Sequence, residues 1–435
     1  MTPPLTTSPI DPARLRADAI AILRENDLGA GYTIPTKGLY PFQWNWDSCL
    51  VALGLAHVDE DRALVEIETL LAHQWPDGMV PHIVFHADHE TYFPGPDVWG
   101  TARATPTSGI TQPPVLAYAL RRLLETARDR ERVGRRVAAL LPKVAAWHRW
   151  FATARDPEGT GLAAILHPWE SGRDNAVDWD EALARVPTDG VGSYVRRDTA
   201  HVDADQRPTK DEYDRYLWLV QRFRRLGWNQ AALHDASPFK VVDPGFNAIL
   251  IRSAEDLAAL AHELGAGEIA AEAQAQAARG RAALDGLWHE GLGQYAAYDR
   301  AAGTLVESAS IGGLLPLLAL EPGHARAEAL VARLAALRAA VRHPVPSHDP
   351  ADPRFDRLRY WRGPLWLIAN RLIADGLARH GQGEAAAEIA RDGLALVARS
   401  GFGEYFDPLD GRALGGKRFS WTAAMVLEFL GTTRA

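Results

Sequence analysis

Residues 243–268 read DPGFNAILIRSAEDLAALAHELGAGE. Asp243 before Pro244 is a helix start, because an Asp N-cap accepts the free amides and proline at the first helical position forfeits no hydrogen bond. Phe246, Ile249, Leu250, Leu257, Leu260 and Leu264 recur with a helical period, and Gly265 ends the run. A partner helix follows at once, from Glu268 to Trp288. The unit is a pair of helices joined by a short turn.

Outward from this pair the same unit returns. Asp11-Pro12 repeats the cap-and-proline start, with Leu15, Ala19, Ile22 and Leu23 carrying the period to Asn26. Further helices are predicted through Leu50, Leu53 and Leu55 with Asp47 as cap, from Glu60 to Gln74, from Pro113-Pro114 through Leu124, and from Val133 to Phe151. Others start at Asp211, run over 326–340 and 384–398, follow Arg362-Gly363-Pro364-Leu365-Trp366, and close the chain after Ser420-Trp421-Thr422. That makes roughly a dozen helices taken in pairs, with few strand-like runs. Every other connection is long, aromatic and polar. Paired helices closing into two concentric rings place those loops at one mouth, so the expected fold is all-α, an (α/α)6 barrel. No motif repeats at a fixed period, which disfavours an open solenoid. No linker divides the chain, so residues 11–435 are expected to form a single catalytic domain, and 1–10 a disordered or loosely attached N-terminus.

Composition narrows the function classes. The chain has 435 residues, 47% of them hydrophobic and 23% charged, which suits a globular protein with a large core. A net charge of -8 without a Lys/Arg run speaks against a nucleic-acid partner. No apolar stretch of about 18 residues is present and the N-terminus lacks an apolar signal core, so neither a membrane span nor a signal peptide is expected. The single cysteine, Cys49, excludes an internal disulfide framework and a cysteine zinc site, and fits a cytoplasmic location. The chain carries 14 tryptophans, most of them outside the Ala/Leu-rich helices. Part of that excess reads as the wall of a ligand cleft. Whether the protein is a homo-oligomer stays open.

The chemistry concentrates in His167-Pro168-Trp169-Glu170-Ser171-Gly172-Arg173-Asp174-Asn175. Two carboxylates four residues apart stand beside Trp169. Aromatic faces stack on the apolar side of a pyranose, and a carboxylic acid kept protonated by burial can donate to a leaving oxygen. The plainer reading is a salt-bridged loop with core tryptophans. A second carboxylate, Glu404 in Gly403-Glu404-Tyr405, opens a loop far along the chain and meets the first only across a closed ring. Inverting glycosidases need such a pair, with carboxyls about 6.5–9.5 Å apart. The alternative is a helix-end carboxylate. His82, His86 and His89, spaced four and three apart, match a metal-binding helix face, but Pro81 and the aromatic loop around them disfavour a continuous helix. No metal and no cofactor are expected.

Read together, six motifs resemble glycoside hydrolase family 63, and within it the small bacterial mannosylglycerate and glucosylglycerate hydrolase type. They are Tyr40-Pro41-Phe42-Gln43-Trp44-Asn45-Trp46-Asp47, Trp75-Pro76-Asp77-Gly78, the 167–175 stretch, Arg359-Tyr360-Trp361-Arg362-Gly363-Pro364-Leu365-Trp366, Gly403-Glu404-Tyr405 and Ser420-Trp421-Thr422-Ala423-Ala424. They follow the family's order and cover the chain almost end to end.

The resemblance implies an inverting α-glycosidase acting on a small sugar-glycerate compatible solute. It gives Asp174 the general-acid position and Glu404 the general-base position. It implies a sugar pocket of Trp44, Trp46, Asp47, Tyr92, Gln112, Trp169, Gly172 and Trp366, and a glycerate end of Tyr40, Arg207, Tyr213 and Tyr360. A family glutamine expected near Phe419 is absent from Lys417-Arg418-Phe419, so no ligand role is carried over there. Glu170 competes with Asp174 as acid, and the resemblance favours Asp174. Three rivals remain: a trehalase-like or other α-glucoside hydrolase, another enzyme class on the same toroid, and a non-catalytic sugar-binding protein. The loops 29–47, 75–112 and 176–209 are candidates for a lid.

Overall fold

The computed structural model describes residues 10–87, 92–200 and 202–432. The segment 1–9 and His89 lie outside the described residues. The protein is mostly helical. Asp11 caps the first helix, Pro12–Asn26, by accepting from the amides of Ala13 and Arg14, and Asp243 caps Pro244–Glu263 by accepting from Gly245.

Five helix pairs share one plan. Asn45–Ala56 turns into Glu60–Ala72, Leu116–Thr126 into Arg130–Ala154, Pro244–Glu263 into Gly267–Leu284, and Leu367–Arg379 into Gly383–Ser400, while Ser420–Thr432 packs on Pro12–Asn26. In each of the first four, three residues separate the two members, which forces them antiparallel. The first members therefore all point their N-termini to the same end, where the long connections gather.

Burial separates the two layers. Every residue from Asn45 to Leu55 is buried, whereas Gly267–Leu284 buries only Ala273, Ala277, Gly280 and Leu284. A helix covered all round lies inside, and one with a single apolar stripe lies outside. The inner members pack in sequence: Asn45–Ala56 on Leu116–Thr126, that on Pro244–Glu263, then on the turns around Leu315–Leu318, then Leu367–Arg379, then Ser420–Thr432, which returns to Asn45–Ala56. The ring is closed.

One inner member is not an α-helix. Ile311–Gly313 and Leu315–Leu318 are 3-10 turns. The paired glycines Gly312-Gly313 and the missing amide of Pro316 weaken an α-helix there, although the apolar run is fully buried. Conversely, Lys210–Arg225, opened by a Thr209–Glu212 capping box, stands in the long connection between ring members and packs on the short helix Pro96–Trp99. Two smaller corrections concern the site. Asp47 does not cap its helix, which starts at Asn45 with Trp44 in the cap position. Glu404 lies on a strand, Gly403–Phe406, paired antiparallel with Ala413–Lys417, not in a loop.

At the end of the short turns the ring is sealed by an ionic cluster built on the buried Glu428 and Arg371. Glu428 accepts from Arg122 at 3.0 Å and Arg371 at 3.3 Å and meets the His57 ring at 2.8 Å, and Asp375 is held by Tyr118 and Arg371. Inner members distant in sequence are thereby tied at one end, and the other end is left open.

Candidate active site

A cavity opens at the N-terminal ends of the inner helices. Each wall comes from a long connection or from the first turn of the inner helix that it precedes. Thirteen of the fourteen residues expected at the site line it: Tyr40, Trp44, Trp46, Asp47, Tyr92, Gln112, Trp169, Gly172, Asp174, Arg207, Tyr213, Tyr360 and Glu404. Trp366 does not. It is fully buried behind the wall, its ring stacked 4.1 Å from that of Trp361 and 4.5 Å from that of Tyr405. Its indole N–H donates to the carbonyl of Tyr360 at 3.0 Å, so it shapes the cavity through Tyr360.

The acid stretch is a 3-10 turn, Pro168–Ser171, closed by Gly172 in the left-handed region at φ 68°. The His167 ring accepts from the Trp169 amide at 3.0 Å and donates to the Tyr216 carbonyl at 3.0 Å. A Cβ at Gly172 would meet the Trp46 ring at 2.8 Å, so the turn can sit against that tryptophan only with glycine there. Arg173 points away from the cavity, donating to Asp178 and Asp243, each at 2.8 Å. It anchors the turn to the cap of the Pro244–Glu263 helix.

The two carboxylates of this stretch part company. Glu170 is fully buried and forked by Arg155, whose Nε and Nη2 reach its oxygens at 3.1 and 2.6 Å, and it also accepts from the Leu166 amide at 2.8 Å. It does not reach the cavity lining. Asp174 does, with its backbone carbonyl held by the Tyr216 hydroxyl at 2.9 Å. Burial, and then the nearby Glu404 charge, raise Asp174 to about 7 against the pull of Arg207.

Glu404 stands at the irregularity of its strand pair, between Gly403 and Tyr405. Trp421 donates to its carbonyl at 3.1 Å and Thr422 to that of Gly403 at 2.6 Å. Oε1 accepts from Tyr40 at 3.1 Å and Tyr360 at 3.2 Å. Oε2 accepts from the Gly416 amide at 2.8 Å and Arg207 Nη2 at 3.4 Å. Arg207 is only 2% exposed, lies over the Tyr40 and Tyr360 rings, and gives Nη1 to the Tyr40 oxygen at 2.8 Å.

Gly415 makes this arrangement possible. It adopts φ 67°, and a Cβ there would lie 2.4 Å from Glu404 Oε2. We expect Gly415→Ala to cost about 1–2 kcal/mol in folding for the left-handed backbone. Displacing the carboxylate should lower kcat by about 10²-fold. Chemical denaturation and steady-state kinetics measure the two separately, and wild-type kcat in a folded variant contradicts the positioning role.

Asp47 is the third carboxylate on the cavity. Burial raises it well above the usual range, and the charges of Glu404 and Asp174 add to that. Gln112 accepts from the Trp46 amide at 3.2 Å. The Tyr213 hydroxyl donates to the Phe93 carbonyl at 2.9 Å, and both residues line the cavity. His82, Asp198, Phe419 and Trp421 also line the cavity and were not among the expected set. The His82 ring stacks on Trp169 at 6.1 Å, and burial holds it neutral, well below the usual histidine range. Asp198 is forked by Arg196 at 3.0 and 2.5 Å. The signal for Trp421 was the Ser420-Trp421-Thr422 motif; His82 stood out only for its spacing from His86, which points to a metal and not to this cavity, and Asp198 only by residue type. His86 turns away from His82 to stack on Tyr32 and meet Gln43 at 2.8 Å.

Comparison with known proteins names this arrangement. Residues 40–422 match the family described as the mannosylglycerate hydrolase MGH1-like glycoside hydrolase domain. Mannosylglycerate hydrolase MGH1 of Selaginella moellendorffii is 51% identical over 410 residues, 94% of this chain and 84% of the relative. Glucosylglycerate hydrolase of Mycolicibacterium hassiacum is 38% identical over 97% of this chain and 98% of its own. The crystal structure of a GH63 mannosylglycerate hydrolase from Thermus thermophilus, in complex with Tris and D-glycerate, superposes with a TM-score of 0.92 at 47% identity, covering 95% of this chain and 99% of that one. The chain is a glycoside hydrolase and belongs to the GH63 mannosylglycerate hydrolase family. Among the described residues no helix is long and apolar enough to cross a membrane.

Proposed function

We propose that the protein hydrolyses an α-linked hexosyl glycerate, mannosylglycerate or glucosylglycerate, to hexose and glycerate with inversion at the anomeric carbon. The observation that carries this is the pairing on one cavity of Asp174, raised to about 7, with Glu404, held among hydrogen-bond donors, and with Arg207 close enough for its charge to act on both. We read the closed inner ring and its outer partners as an (α/α)6 barrel, and residues 11–435 as a single catalytic domain. One buried free cysteine supports a cytoplasmic location.

The sugar ring lies against Trp46 and Trp169, with Asp47 and Gln112 at its hydroxyls. Asp174 gives its proton to the glycosidic oxygen as the bond to the anomeric carbon breaks. Glu404 takes a proton from the water that attacks the opposite face. The glycerate carboxylate meets Arg207, whose planar fork suits a carboxylate, with the Tyr40 and Tyr360 rings over its faces. A trehalase-like reading gives the unpartnered Nε of that buried guanidinium no substrate anion to bind, because trehalose is neutral. A sugar-binding protein has no use for a protonated acid beside a carboxylate.

Mannosylglycerate, glucosylglycerate and trehalose incubated with the protein, with proton NMR following the anomer released first, test the reading. Initial release of the β-anomer from a sugar glycerate is expected; α-anomer first, or turnover of trehalose alone, overturns it. The pH dependence has a definite sign. Asp174 must hold its proton to act, so kcat/KM, which follows the free enzyme, falls as pH rises through about 7. A pH–kcat/KM profile checks this, and a value that keeps rising above that pH contradicts the acid assignment.

A further inference from the structure

A carboxylate offers about four lone-pair positions. At Glu404 four protein donors already fill them: the Tyr40 and Tyr360 hydroxyls at 3.1 and 3.2 Å, the Gly416 amide at 2.8 Å and Arg207 Nη2 at 3.4 Å. A base that accepts a proton from water must give one of these positions up. Gly416 is fixed by the strand pair, and Tyr40 is locked from behind by Arg207 Nη1 at 2.8 Å. Tyr360 is wedged edge-on against Trp366 and Tyr405. Arg207 makes the longest of the four contacts, and its Nε is buried with no partner.

The unused Nε and the loosely held Nη2 form one edge of the guanidinium. With the same edge Arg155 forks Glu170 elsewhere in this chain, through Nε at 3.1 Å and Nη2 at 2.6 Å. A carboxylate that takes both donors of Arg207 must draw Nη2 off Glu404. Resting on the sugar-glycerate reading above, we propose that the aglycone carboxylate switches the base on: by engaging the Nε–Nη2 edge of Arg207 it vacates a position on Glu404 Oε2, where the attacking water docks. The anion is then an activator as well as a handle. A neutral glycoside binds with Glu404 still fully occupied. The incoming negative charge also helps Asp174 keep its proton.

The test separates the activator from the handle. Methyl α-D-mannopyranoside and methyl α-D-glucopyranoside carry the sugar but leave the space before Arg207 open to a small anion. With the wild-type protein, formate is expected to raise their kcat saturably by about tenfold, the worth of one hydrogen bond to a charged group, while chloride at equal ionic strength does not. In Arg207→Met the formate effect is lost. If formate leaves methyl glycoside turnover unchanged or only inhibits, while sugar glycerates are hydrolysed, Arg207 is a handle alone and the proposal falls. If no sugar glycerate is hydrolysed, the functional reading itself fails. Should Arg207→Met not fold, the wild-type comparison of formate with chloride decides by itself.

Discussion

Asp174→Asn and Glu404→Gln should each lower kcat by about 10²–10⁴-fold and leave the fold intact. Both side chains end in a cavity, so an isosteric amide breaks no packing at either place. Asparagine has no proton to give to the glycosidic oxygen, and glutamine cannot take one from water. The loss belongs in kcat, because neither group is asked to hold the ground-state substrate by charge. The descending limb of the pH–kcat/KM profile near 7 should vanish in Asp174→Asn. At Glu404 the amide retains an oxygen for the tyrosine hydroxyls but turns an N–H toward Gly416 or Arg207, so a modest loss of stability is expected beside the loss of rate. Steady-state kinetics on a sugar glycerate, with a thermal melt of each variant, check these expectations. Wild-type turnover in either variant removes that residue from the mechanism.

Glu170→Gln, four residues from the acid, should do the opposite. It leaves the Arg155 guanidinium, 1% exposed at its side chain, without a counter-charge. Breaking one partner of a buried ion pair costs about 3–5 kcal/mol. Activity per folded molecule should survive, because Glu170 does not reach the cavity. Arg155→Met made together with Glu170→Gln should recover much of the stability, since removing both charges removes the uncompensated one. Denaturant midpoints of the two single variants and the double variant give the coupling. If Glu170→Gln abolished turnover in a folded protein, the acid would be Glu170 and the assignment of Asp174 would be wrong.

These two carboxylates mark where reading the chain stops. In the sequence both stand in one motif beside Trp169, and nothing local tells them apart. What separates them is Arg155, at the end of the preceding helix, which claims Glu170 and cannot be seen from residue spacing. Trp366 shows the same limit. Its motif points to the sugar pocket, but the ring is stacked between Trp361 and Tyr405, one layer behind the cavity. Asp47 looks like a helix cap and is instead a buried carboxylate on the cavity, because the helix starts two residues earlier. His82 and Asp198 have no local signature of a sugar site, and they reach it only because their long connections fold over the mouth.

Local chemistry along the chain was enough to find the helix pairs, the Asp-Pro starts, the long aromatic connections and most of the site residues. Those features rest on interactions within a few residues: caps, a 3.6-residue period, glycine stops. Three things came only with the folded ring: which carboxylate faces the sugar, how many donors hold Glu404, and that one inner member is built of 3-10 turns. Each of these turns on what a side chain meets from another part of the molecule. Burial and charge neutralisation are set by neighbours far away in the sequence, so they exist only once the ring has closed.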